Sequence, residues 1–232
     1  YTLTCTGPNG SVTQSVTVFV TSTPAPTPTP TPVPTPPSGS LSDSSFEATT
    51  LVDGLEVPWS LGFLPTGEIV FTERTGNISM VNADGSNKRK IGQVNNVYSN
   101  KLEAGVLGLA VDPNYTSNSY IYVQYTLSDQ NRISRFTYNG TSLTNELVIF
   151  GGIPAASTHD GGRLRFGPDG KLYSSTGDAN NSSLAQDTNS KAGKYLRINS
   201  DGSIPGDNPF GNAVWSYGHR NPQGMTWKPG TN

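Results

Sequence analysis

Apolar and polar residues alternate along most of this chain with the two-residue period of β-strands, in short runs broken by turn residues. The first twenty residues, YTLTCTGPNGSVTQSVTVFV, set Tyr1, Leu3 and Cys5 on one face, turn at GPNG, and resume with Val12, Val16, Val18 and Val20. This pattern predicts a hairpin. Residues 21–40, TSTPAPTPTPTPVPTPPSGS, carry proline at nearly every second position, which removes backbone donors and gives a semi-rigid polyproline spacer. From about Phe46 the alternation returns, and four pieces echo one another: SLGFLPTGEIVFTER from Ser60, LGLAVDPNYTSNSYIYVQYT from Leu107, RLRFGPDGKLYSSTGD from Arg163 and GMTWKPGTN from Gly224. Each has an alternating run, then a proline-centred turn, and usually a second run.

The anchoring residues Pro65, Pro113, Pro168 and Pro229 lie 48, 55 and 61 residues apart, the length of a four-stranded propeller blade with loop insertions. The expected fold is therefore all-β: a partial β-propeller of about three four-stranded blades over residues 44–232. A Pro/Thr/Ser-rich linker, 21–43, and the hairpin, 1–20, precede it. A lone blade exposes both faces, and neighbours around a ring cover them. Three blades do not close that ring, so the chain is expected to be truncated after Asn232, and Tyr1, which is no natural start, implies the same on the left.

Composition narrows the partners. With 26 Gly, 18 Pro and 33% hydrophobic residues the chain suits a turn-rich β protein. A formal charge of -2 offers no basic field for nucleic acid, and no apolar run is long enough for membrane insertion. Cys5 is the single cysteine and has no partner within the chain.

In a propeller the loops leading into the first strand of each blade gather at one mouth of the axial channel. Here they read VPWS, LEAGVLG, STHDGGR and YGHRNPQG, and they hold both histidines, His159 and His219, with Glu103, Asp160, Arg163, Arg220 and Asn221. His219 is read as structural, donating to a backbone carbonyl. Trp59, Trp215 and Trp227 are read as core or axis packing. DPNYTSNS and NSDGSIPGDNP have Asp/Asn/Gly content suggestive of calcium loops but lack the EF-hand pattern, so they are read as turns.

The segments VPWSLGFLPTGEIVFTER, EAGVLGLAVDP, HDGGRLRFGPDGKLYSSTGD, AGKYLRINSDGSIPGDNPF and YGHRNPQGM together resemble the soluble glucose/sorbosone dehydrogenase family. Its members are six-bladed propellers that oxidise aldose sugars with pyrroloquinoline quinone (PQQ) and calcium, and the resemblance covers roughly residues 46–232. It implies that His159 is the catalytic base, taking the proton of the C1 hydroxyl as hydride moves to the quinone. Arg220 and Asn221, in GHRN, match cofactor-binding residues that hold the quinone oxygens. Glu103 stands where the family usually has a glutamine near the sugar, a substrate-binding position. No residue here is assigned to a metal; the calcium ligands and further basic residues are expected in later blades.

Thr158 precedes His159 where some members have an acid, so a carboxylate that orients the imidazole must be sought elsewhere. The implied partners are an aldose sugar, or a related small polyol or aldehyde, and an external electron acceptor. Residues 1–20 resemble the last two strands of a bacterial immunoglobulin-like domain, and with the Thr/Pro linker they imply a secreted, extracellular or periplasmic, protein. The alternative is a non-catalytic extracellular propeller that binds carbohydrate or protein. Glu103 and the modular context favour it; His159, Arg220 and Asn221 favour the enzyme.

Overall fold

The computed structural model describes residues 2–7, 10–15, 49–99, 102–228 and 230. Val16, Val18 and Val20, the linker over 21–43, and Pro229 lie outside the described residues. The chain divides into two units, Tyr1–Ala48 and Thr49–Asn232. In the first, β1 (Thr2–Gly7) pairs antiparallel with β2 (Gly10–Ser15), Gly7 opposite Gly10.

The second unit contains three four-stranded antiparallel sheets, each running in chain order from its first strand to its last. The first sheet is β3 (Pro58–Phe63), β4 (Ile69–Glu73), β5 (Asn77–Val81) and β6 (Arg89–Gln93). The second is β7 (Val106–Val111), β8 (Tyr120–Thr126), β9 (Asn131–Tyr138) and β10 (Leu143–Ile153). The third is β11 (Leu164–Phe166), β12 (Leu172–Thr176), β13 (Lys194–Ile198) and β14 (Val214–Tyr217). The proline-centred turns join the first two strands of each sheet. In the first and third they are tight, closed by Gly67 N–H on the Leu64 carbonyl and Gly170 N–H on the Gly167 carbonyl. In the second sheet the turn opens into a single helical turn, α1 (Tyr115–Asn118). A second short helix, α2 (Ser182–Gln186), fills the connection after β12.

The first strands β3, β7 and β11 lie side by side, and small residues permit it. A Cβ on Gly62 would come 2.8 Å from the Leu109 side chain, and one on Gly108 would come 2.0 Å from the Gly162 carbonyl oxygen. One apolar core, with Val70, Ile78, Met80, Leu109, Ile121 and Val123, fills the space between the first and second sheets. Another, with Ala110, Tyr122, Ile133, Leu164, Leu172 and Leu196, joins the second and third. Each large aliphatic side chain buried there contributes about 1.5–3 kcal/mol relative to exposure. The middle sheet is thus covered on both faces, and β8, YIYVQYT, is buried along nearly its whole length. On β3, by contrast, Leu61 and Phe63 face away from the second sheet and are exposed.

Two readings of single residues need correction. Trp215 is not core: it is exposed on β14, where it packs edge-on to Tyr173 and carries the Arg197 guanidinium 4.8 Å from its ring centre. It stands on the far face of the third sheet, which no described strand covers. Trp59 is half-buried with the Arg163 guanidinium 4.4 Å over its ring. His219 is structural, but its Nε2 pairs with the Ser216 hydroxyl at 2.8 Å instead of a carbonyl, because its ring is turned edge-on to Tyr195.

Candidate active site

Four loops meet at one end of the first strands. The loop before β11 carries His159 with φ +63°, a left-handed conformation that costs a non-glycine residue on the order of 1–3 kcal/mol. The surroundings over-determine it. Its N–H donates to Glu103 Oε2 at 2.7 Å and its carbonyl accepts the Ala179 N–H at 3.2 Å. That carbonyl lies where a Cβ on Gly177 would be, 1.8 Å away, so position 177 must be glycine.

The imidazole Nδ1 is 2.7 Å from Asp178 Oδ1. A carboxylate only accepts, so in the neutral ring the proton sits on Nδ1 and the lone pair on Nε2. Nε2 has no hydrogen-bond partner among the described residues. Asp178 is buried and is itself held: Oδ1 also accepts the Asn180 N–H at 3.0 Å, and its own N–H donates to the Arg220 carbonyl at 2.8 Å. Thr158 Oγ1 donates to Asn180 Oδ1 at 2.8 Å, so the residue before the histidine serves the loop while Asp178 supplies the orienting carboxylate.

Glu103 ties three of these loops together. Its Oε2 accepts from both His159 N–H and Asn221 Nδ2, at 2.7 and 2.9 Å, and its N–H donates to the Ser157 carbonyl at 3.2 Å. Glu103 Oε1 has no partner among the described residues. Asn221 Oδ1 accepts the Gly161 N–H and Gln223 Nε2, both at 3.0 Å, so most of its amide is committed to the loops. The Arg220 guanidinium is exposed and makes no ion pair among the described residues. Arg163 donates to the Gln223 carbonyl and to Ser60 Oγ, at 3.0 and 3.2 Å, and burial together with Arg165 pushes its guanidinium below the usual range. A cleft of about 300 Å³ opens beside these groups, lined by Val57, Trp59, Glu103, Gly161, Asn221 and Gln223 among others.

His159, Glu103, Asn221 and the backbone of Arg220 are therefore assembled as the lead-in loops were expected to assemble them. Two residues escaped the reading of the sequence, Asp178 and Gly177. Their signal was the hairpin register: Leu164 pairs with Ser174, and continuing that register past the strand ends lays 178–179 alongside 159–160. Among the described residues, no group of three or more His, Cys, Asp or Glu side chains is arranged to hold a metal ion.

Residues 55–232 match the family model described as Glucose / Sorbosone dehydrogenase. The chain belongs to this family. Quinoprotein glucose dehydrogenase B of Acinetobacter calcoaceticus is 35% identical over 222 residues, covering 80% of this chain and 46% of that protein. The aldose sugar dehydrogenase YliI of Escherichia coli (strain K12) is 31% identical over 198 residues, covering 78% of this chain and 53% of that one. Among solved structures, the PQQ-bound aldose sugar dehydrogenase of Streptomyces coelicolor superposes with a TM-score of 0.75 at 39% identity, covering 78% of this chain and 56% of that one. This glucose/sorbosone dehydrogenase chain thus spans about half the length of the relatives it matches, and its three sheets are blades of a partial propeller. Among the described residues no helix is long and apolar enough to cross a membrane.

Proposed function

We propose that this chain carries the proton-accepting half of a secreted, PQQ-dependent dehydrogenase that oxidises the C1 hydroxyl of aldose sugars. The observation that supports it most is the His159–Asp178 pair, which leaves Nε2 without a hydrogen-bond partner among the described residues. PQQ is an anionic ortho-quinone, and the donor set suits it: Arg220 offers an exposed guanidinium, without an ion pair among the described residues, on the same peptide whose carbonyl anchors Asp178. PQQ supplies the acceptor for the hydrogen and two electrons that leave C1.

The residues of this chain do the rest. His159 Nε2 receives the hydroxyl proton, and Asp178 steadies the imidazolium that forms, at a contribution of about 10²–10⁴ in rate for a positioned base. Arg220 would hold the quinone oxygens, where a fixed guanidinium would stabilise negative charge. Asn221 has one amide hydrogen left for the same task and otherwise positions Glu103 and Gly161. Glu103 Oε1 accepts a hydrogen bond from a sugar hydroxyl. Calcium is assigned to no residue of this chain, and the electron acceptor is external.

The test is a dye-reduction assay on the full-length protein reconstituted with PQQ and calcium, run against a panel of aldoses. Turnover that falls by about 10²–10⁴ in His159→Ala is the expected result. Equal activity of the two proteins would remove His159 from the mechanism. Carbohydrate binding without turnover of any aldose would favour the non-catalytic propeller.

A further inference from the structure

Asp160, next to His159, is a buried acid that the proposed reaction does not use. Its side chain is 1% exposed, and its Oδ2 is the one buried side-chain oxygen or nitrogen without a hydrogen-bond partner among the described residues. The two donors that reach this carboxyl both go to Oδ1: the Ala156 N–H at 3.1 Å and Asn131 Nδ2 at 3.0 Å. Asn131 is itself fully buried and fixed, accepting from Thr126 Oγ1 at 2.7 Å and donating to the Pro154 carbonyl at 3.1 Å. No cation pairs with Asp160 among the described residues. The titratable groups that face it are Glu103, from the loop before β7, and His159.

This one-sided pattern fits a carboxylic acid better than a carboxylate. An ionised carboxylate spreads its charge over both oxygens and leaves a bare charged atom costly in a dry site. In a neutral acid the carbonyl oxygen accepts both bonds and the other oxygen carries the proton. We propose that Asp160 is held as a neutral acid and acts as a positioning residue for His159, its carbonyl oxygen pinning the 156–160 loop while its proton keeps another negative charge away from the imidazole. Burial points the same way: it pushes the Asp160 carboxyl up, assisted by the Glu103 charge and opposed by the bonds from Asn131 and Ala156.

The functional consequence rests on the reading of His159 as a base. Glu103 and Asp178 already bring two carboxylates to that residue, one on its N–H and one on Nδ1. A neutral Asp160 adds no third negative charge beside them. The stability consequence does not need that reading. A raised carboxyl contributes stability that is fully present below its ordinary value of 3.8 and is lost as pH rises through the folded value.

The experiment uses the full-length protein without cofactor or sugar. In wild type at neutral pH, infrared spectra contain the C=O stretching band of a protonated carboxylic acid, and Asp160→Asn, which mimics the neutral acid, lacks it. Asp160→Asn raises Tm by about 5–10 °C at about pH 8, the size that a carboxyl still protonated at neutral pH requires, and leaves it nearly unchanged at about pH 4. Hydrogen exchange gives the positioning readout: the Ala156 and His159 amides keep their protection in Asp160→Asn and lose about tenfold or more in Asp160→Ala. Should Asp160→Ala fail to fold, the band and the pH course of the Asn variant decide. No difference in the band, together with a Tm offset that is constant with pH, overturns the proposal. Because no readout involves turnover, a protein inactive on every aldose but carrying the band would sink the dehydrogenase reading alone.

Discussion

His159 is held by bonds to three neighbours, Glu103, Ala179 and Asp178, in a conformation that it would not choose alone, and the strain sits beside an imidazole whose Nε2 has no partner among the described residues. Asp178 decides which ring nitrogen is that free one. Asp178→Asn should therefore lower kcat of the reconstituted full-length protein by about 10²-fold or more with little change in KM, since an amide no longer fixes the proton on Nδ1. Steady-state kinetics separate the two parameters, and a change confined to KM would count against the assignment. Gly177→Ala tests the backbone beneath it. The added methyl would lie 1.8 Å from the His159 carbonyl, so the loop must move, at about 1–3 kcal/mol or more, visible as a lower denaturation midpoint. At this scale the sequence disclosed His159, Glu103 and Asn221 because each lies in a loop that leads into a first strand. It hid Asp178, because that contact depends on which residues of β11 and β12 stand opposite each other across a hairpin.

Among the strands, legibility followed exposure. β3 alternates openly because one of its faces is uncovered, whereas β8 is a nearly continuous buried run whose type must be argued from its length and its β-branched and aromatic content. The bulges in β10, between Thr144 and Leu147 and again before Ile153, left no mark in the alternation. Besides the apolar cores, close backbone approach joins neighbouring blades, and two glycines separate that effect from turn geometry. Gly108 faces the Gly162 carbonyl with no room for a methyl, while Gly140 has φ +93° and nothing within 4 Å of its would-be Cβ. Gly140→Ala should cost about 1 kcal/mol from backbone strain alone. Gly108→Ala should cost more, about 1–3 kcal/mol beyond any change in backbone preference, because β7 and β11 must separate. Chemical denaturation of the two variants checks the order; equal losses would mean that the blades do not depend on this contact.

Over the whole molecule, the proline spacing revealed the propeller because every blade repeats one turn between its first two strands. The pairing of charges within a blade left no such trace, and it contributes to how stability changes with pH. In the third blade Arg197, 4% exposed, binds Asp169 at 2.9 Å and Asp207 at 2.7 Å. Burial raises the Asp169 carboxyl, but the Lys171 amide, Arg197 and the Tyr173 hydroxyl together hold it below its ordinary 3.8. Its contribution is present above that value and lost as pH falls through the folded one. His219 adds to the same acid limb: burial, helped by the Lys194 charge, pushes its ring below 6.5, so the unfolded chain takes up a proton there before the folded one does. Asp160 works in the opposite sense and loses its contribution as pH rises. Tm of the full-length protein, measured from about pH 3 to about pH 9 against each variant, should resolve these contributions. Asp169→Asn should make the acid limb shallower and leave the neutral range parallel to wild type, His219→Gln should shift only the part below about pH 6.5, and Asp160→Asn should rise progressively above wild type as pH climbs from about 4. Offsets from wild type that stay constant across the range would mean that these groups titrate alike in the folded and unfolded chains, and that the packing between blades alone sets the stability.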